Sequence, residues 1–216
     1  MSSLIFFTDE NQALVATDTL ATTPDGEPFK FLTKVFIVPH LKLMIAGTGA
    51  GGFSGRWLVQ INEGMVVKGI ENLNAHAPRV LAGLWPDYKA QTSLPENITA
   101  TIYHFGFSEV TGQLRSFAYR STNNFRSEIL GYGLGTKPEC TVPEGWSLPR
   151  DLKKMMDDQR IVQASLPKEQ RVYIGGEIEI YHLTKDGFSV YTLERFEDYA
   201  NDEVGIFKNF ETSKLQ

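Results

Sequence analysis

Ser2-Ser3-Leu4-Ile5-Phe6-Phe7-Thr8-Asp9-Glu10-Asn11-Gln12-Ala13-Leu14-Val15-Ala16-Thr17-Asp18 opens the chain behind Met1, and its reading decides the fold. Ser3 to Thr8 is a continuous apolar run, Asp9 to Gln12 is turn chemistry, and Ala13 to Asp18 resumes as a strand, so the stretch predicts an antiparallel hairpin. A second hairpin follows in Lys34 to Val38 and Leu41 to Ala46, separated by Pro39-His40. Strands apolar on both alternating faces require cover on both sides.

Further elements follow the same logic. The spacing of Phe53, Leu58 and Ile61, with Trp57 alongside, predicts a helix over 53–63, and 71–85 predicts a second that Pro78 interrupts or kinks. Ile98 to Phe107 and Gln113 to Tyr119 predict a hairpin, and Ile129 to Gly135 a strand running into a glycine turn. Leu152, Met155, Met156 and Ile161 mark a helix over 148–164, with Pro167 beyond its end. Val172 to Leu183 and Phe188 to Leu193 predict the last hairpin, and the polar stretch 194–216 a short helix with a loose tail. Hairpins on either side of central helices predict an α+β chain: two mainly antiparallel sheets face to face with helices outside, a four-layer αββα sandwich.

Composition bounds the function. The 216 residues, 42% hydrophobic, suit one domain over 1–216, with 194–216 as a polar C-terminal extension. A net charge of -5 with scattered Lys and Arg gives no footprint for nucleic acid. No apolar run approaches the ~20 residues of a membrane span. The single cysteine, Cys140, rules out an intramolecular disulfide, and no secretion signal is read at the N-terminus, so a cytoplasmic location is expected.

Ser2 carries the sharpest chemical reading. Removal of Met1 exposes a hydroxyl and a free α-amine on one residue, and an α-amine with a pKa of roughly 8 can accept the hydroxyl proton near neutral pH. Nucleophile and general base then share one residue. Asp18 and Lys34 are the accompanying charged candidates. Each residue also has an ordinary reading: a post-initiator serine, a strand-end turn residue and an exposed strand lysine. His104 and His182 lack metal-ligand spacing and read as structural, and Cys140 has no recognisable base nearby. Gly47-Thr48-Gly49-Ala50-Gly51-Gly52 fits the G-x-G-x-x-G dinucleotide loop, but its strands are hairpin-connected, whereas that loop belongs to a parallel βαβ unit.

Three segments carry a family resemblance. Leu14-Val15-Ala16-Thr17-Asp18-Thr19-Leu20-Ala21-Thr22 resembles a strand ending in "AADSRAT". Lys34-Val35-Phe36 through Met44-Ile45-Ala46-Gly47 resembles a lysine-bearing strand followed by "IAG" and a helix. Tyr173-Ile174-Gly175-Gly176 with Tyr181-His182-Leu183-Thr184-Lys185-Asp186-Gly187 resembles "YSGG…YHV..DG". Together they resemble the proteasome-type N-terminal nucleophile hydrolases, similar to proteasome β subunits and the bacterial heat-shock peptidase. Counted from Ser2, Asp18 and Lys34 fall at that family's separations from its terminal threonine to its catalytic aspartate and lysine.

The resemblance implies the N-terminal nucleophile fold and a peptidase or amide hydrolase. Ser2 would be the nucleophile, Lys34 the neighbouring positive charge, Asp18 its anchor, and the Gly49 N–H the oxyanion donor, with Thr48 and Ala50 as alternatives. It implies no cofactor and no metal, a peptide or amide substrate, self-assembly into rings and an ATPase partner. The helical surfaces 53–63 and 148–164 would be contact faces. The chain departs from the pattern in having serine for threonine, and in Arg171, Ile174 and Tyr132 where the family often carries polar groups around the terminal amine. Those departures suit a second reading, a catalytically silent structural subunit of a homo-oligomeric ring.

Overall fold

The computed structural model describes residues 3–23 and 25–213. The opening hairpin is β1 (Leu4–Thr8) and β2 (Gln12–Asp18). Asp9 closes its turn, its Oδ1 accepting the backbone N–H of Asn11 at 2.8 Å and of Gln12 at 3.1 Å. This is the local bonding that makes aspartate a turn residue. A short ribbon follows, β3 (Leu20–Thr22) with β4 (Pro28–Phe31), where sequence reading expects only loop. The second hairpin is β5 (Val35–Val38) and β6 (Leu43–Gly49). Strand β6 continues through Gly47-Thr48-Gly49, part of the expected glycine turn.

Helices α1 (Phe53–Gly64) and α2 (Ile70–Thr92) come next. Helix α2 is longer than expected and carries both Pro78 and Pro86 without ending. Its stripe of Ile70, Leu73, Ala77 and Leu81 is buried, and that tertiary burial outweighs the lost proline hydrogen bonds. The hairpin β7 (Ala100–Phe107) and β8 (Leu114–Arg120) follows as expected.

Ile129 to Gly135 is not one strand. It divides into β9 (Ser127–Ile129) and β10 (Gly133–Lys137), which belong to different sheets. The chain crosses between them at Leu130-Gly131-Tyr132, and Gly133, at φ +124, takes a turn that other residues resist. Helix α3 (Leu152–Ala164) starts four positions later than expected, and Ile161 is 70% exposed. Gln159 and Gln163 occupy the buried stripe instead. The final hairpin is β11 (Glu177–Thr184) and β12 (Phe188–Arg195), so 172–176 is irregular rather than strand. Helix α4 (Tyr199–Ser213) makes the C-terminal extension mostly helical.

The strands form two five-stranded antiparallel sheets, in the orders β10-β1-β2-β11-β12 and β5-β6-β7-β8-β9. Alternation along each strand sorts side chains into layers. Leu4, Val15, Met44, Ala46 and Phe105 fill the space between the sheets. Their neighbours Ile5 and Ala16 turn outward against Leu152 and Met155 of α3, while Ile45 packs under Phe53, Trp57 and Leu73 of α1 and α2. The result is the four-layer αββα sandwich. No helix among the described residues is long and apolar enough to cross a membrane.

His104 sits in the layer between the second sheet and its helices, fully buried. The Trp57 indole N–H donates to its Nε2 at 2.8 Å, and the two rings stack 6.0 Å apart. Burial holds its pKa down at about 3, against the ordinary 6.5. Above pH 6.5 the ring is neutral folded or unfolded and adds no pH dependence. As pH falls below that value the unfolded chain gains a proton that the folded one refuses, so stability falls with a slope that steepens toward about 1.4 kcal/mol per pH unit near pH 5. Urea unfolding between pH 7 and 5 is expected to show this slope. His104→Leu should flatten it while lowering stability at pH 7, because the Trp57 N–H loses its acceptor.

Candidate active site

Asp18 ends β2 fully buried, and its carboxylate gathers three donors. Oδ1 accepts the Ser3 backbone N–H at 2.9 Å and the Lys34 ammonium at 2.8 Å. Oδ2 accepts the Gly175 N–H at 3.2 Å. A buried carboxylate needs both a counter-charge and filled lone pairs, and this one has them. The sequence places these groups far apart: Ser3 on the terminal strand, Lys34 just before β5, and Gly175 in the glycine pair before β11.

Lys34 is 5% exposed and donates a second hydrogen bond to the Leu20 carbonyl at 2.7 Å. An ammonium has three donors, and these two bonds engage two of them among the described residues. Burial pulls the Lys34 pKa below the ordinary lysine range, against the opposing attraction of Asp18 and Glu179. Desolvation exceeds ion pairing because the whole side chain is inside, so the ammonium releases a proton more readily than a surface lysine does.

Lys34 lines a cleft of about 580 Å³. Leu20, Ala21 and Thr22 of β3 contribute to it, as do Gly47, Gly49 and the turn Ala50-Gly51-Gly52 that leads into α1. Ladder alternation decides where the backbone of β6 points. Ala50 N–H donates to Thr99 O at 2.9 Å, continuing the β6–β7 register, so even-numbered residues here bond toward β7. Odd-numbered ones bond toward β5, which pairs only as far as Val35 with Ala46. Gly47 and Gly49 therefore present their backbone groups beyond the end of β5, into the cleft. Of the three oxyanion candidates, Ala50 has its N–H engaged by Thr99 O and Thr48 bonds toward β7, whereas Gly49 lies beyond the end of β5 and lines the cleft.

The geometry at Gly49 also requires glycine. Its φ is +94, and an added Cβ would lie 2.1 Å from the Thr99 carbonyl oxygen. The turn after it is pinned from α2, where the Tyr88 hydroxyl donates to the Gly51 carbonyl. Helix α1 has no side-chain cap and no acidic residue in its first turn, so its N-terminal amides add positive potential next to the cleft. The G-x-G-x-x-G match is not a dinucleotide loop, since β6 pairs antiparallel with both β5 and β7.

The structure thus brings Asp18, Lys34 and Gly49 to one region. Ser2 lies outside the described residues. Ser3, which is covalently joined to it, is held on both sides: its N–H on Asp18, and its hydroxyl donating to Gln159 Oε1 at 2.5 Å. Gln159, Gly175 and the Leu20 carbonyl are site partners that sequence reading does not single out. The three departures from the family pattern are occupied elsewhere. Arg171 Nε–H donates to Leu166 O at 2.6 Å, Ile174 is buried in the layer under α3, and the Tyr132 hydroxyl donates to Leu114 O at 3.0 Å. Cys140 is a free thiol whose pKa burial raises, the opposite of an activated nucleophile.

No protein-family model matches the sequence, and no curated protein does. Among solved structures, the chain is similar to Anbu (ancestral beta-subunit) from Yersinia bercovieri, with a TM-score of 0.59 over 100% of this chain and 95% of that one. Sequence identity is 11%. The fold is proteasome-like. At that identity the likeness concerns the fold alone.

Proposed function

We propose that the chain is a proteasome-like peptidase or amide hydrolase that uses Ser2 as its nucleophile once Met1 is removed. The observation that carries this reading is the buried Lys34–Asp18 pair at 2.8 Å, sharing a carboxylate oxygen with the N–H of the residue after Ser2 and opening onto a cleft. Buried, perturbed lysines beside clefts are what amide chemistry at neutral pH needs.

In this mechanism Ser2 Oγ attacks the substrate carbonyl while its α-amine takes the hydroxyl proton, directly or through water. The lysine charge favours the alkoxide and lowers the pKa of the amine. The Gly49 N–H faces the oxyanion of the tetrahedral intermediate. Collapse breaks the C–N bond, and the leaving amine takes the proton held by the α-amine. An ester on Ser2 remains, and water hydrolyses it by the same steps, returning the hydroxyl. The substrate would lie extended between β3 and the free edge of β6, adding a strand by backbone hydrogen bonds. The whole chain would act as one domain, self-assembling into rings in the cytoplasm, with an ATPase as partner.

One observation favours the second reading, a silent structural subunit: Arg171, Ile174 and Tyr132 put no polar group into this cleft. A fluorogenic peptide panel on the assembled protein separates the two. Turnover that disappears in Ser2→Ala supports hydrolysis, and intact rings that cleave no peptide support the structural role.

A further inference from the structure

We propose that the cleft selects peptides in which a carboxylate lies beside an apolar side chain, the carboxylate being read by Lys30. This rests on the proposed peptide-binding role of the cleft and adds the class of peptide. The charge of the lining is one-sided. Lys30 and Lys34 line the cleft, and none of the other described residues that line it is charged. That is against the grain of a chain with 26 acidic and 21 basic residues.

The two lysines differ in what they can do for a ligand. Lys34 is buried and tied to Asp18, and the carboxylates that it feels, Asp18 and Glu179, are not part of the lining. Lys30 is exposed on β4, opposite Ala21 of β3. Its neighbour Phe31 turns the other way and stacks on Tyr199 of α4 at 4.8 Å, while the register shift that leaves Phe29 unpaired lets Phe29 and Lys30 both line the cleft. Its Nζ lies 5.4 Å from the centroid of the Phe29 ring, which also lines the cleft. Phe29, Leu32, Phe36 and Leu94 supply the apolar surface around it. A peptide carrying leucine two residues from glutamate, on the same face of an extended strand, matches both features, whereas one carrying lysine there meets like charge.

Binding, rather than turnover, tests this, so that a failure of the hydrolytic reading leaves a separate result. Paired fluorescent peptides, identical except for glutamate or glutamine at one position two residues from leucine, are titrated into assembled Ser2→Ala protein by anisotropy, with the pair moved along the peptide. At one position the glutamate peptide should bind roughly fivefold tighter, a preference that shrinks at high salt. Lys30→Gln should erase it, and Lys30→Glu should turn it toward the lysine-bearing peptide. Equal affinity at every position, a preference that survives Lys30→Gln, or no binding of any peptide overturns the proposal. Loss of turnover in the native protein with the binding preference intact would count against hydrolysis alone.

Discussion

Lys34→Met is expected to lower peptide turnover by roughly 10³-fold, the scale of a lost preorganised charge beside the developing alkoxide. It is also expected to cost about 3–5 kcal/mol of stability, because Asp18 is left as a buried charge without its cation. The two effects can be told apart. In the double variant Asp18→Asn with Lys34→Met the uncompensated charge is gone and the single amide oxygen at position 18 can still accept the Ser3 N–H, while the Gly175 N–H, which bonds the other carboxylate oxygen in the native chain, loses its acceptor. Stability should recover in part, as measured by chemical denaturation, and turnover should not. A Lys34→Met protein that cleaves at the native rate would remove the lysine from the mechanism.

Gly49→Ala is the second large effect. The added Cβ would lie 2.1 Å from the Thr99 carbonyl oxygen at a φ of +94, so backbone has to move and flexible side-chain rearrangement cannot relieve it. Strain of this kind costs roughly 1–3 kcal/mol. The larger consequence is displacement of the N–H facing the cleft, for which a loss of about 10²- to 10³-fold in kcat is expected. Gly51→Ala is the control, since its Cβ would meet nothing within 4 Å. Its unfolding midpoint should stay near native. Equal loss in both variants would mean that the turn, rather than the Gly49 amide, matters.

The layers of the sandwich were legible because alternation is local. Leu4 and Ile5, or Met44 and Ile45, are adjacent in sequence and face opposite layers, and that pattern alone requires cover on both sides. The ribbon β3–β4 was not legible. Its strands are short, their register shifts between Ala21 and Thr22, and their stability comes from α4 through the Phe31–Tyr199 stack. Helix α3 illustrates a different failure. Ile161 has the right spacing for the core, yet Gln159 takes a buried position because its side chain bonds Ser3 and the Pro138 carbonyl. Polarity at that position is set by a partner 156 residues away.

The site divides in the same way. Asp18 and Lys34 stand out through order and spacing, and the structure joins them. Gly175 reaches Asp18 from 157 residues along the chain, through a backbone N–H that carries no sequence signature. That Gly49, Thr48 and Ala50 differ in their surroundings follows from the register with β7 and the point at which β5 ends, neither of which is readable in the sequence.

The proposed hydrolysis requires a free Ser2 amine and hydroxyl acting together beside Lys34. An epoxyketone peptide closes a ring only on a residue offering both groups, so peptide mapping of the treated protein by mass spectrometry reads the claim directly. The expected result is a chain lacking Met1 with the adduct on Ser2, and no adduct in Ser2→Ala. A retained or acylated Met1, or an untouched Ser2 in properly assembled protein, would contradict it.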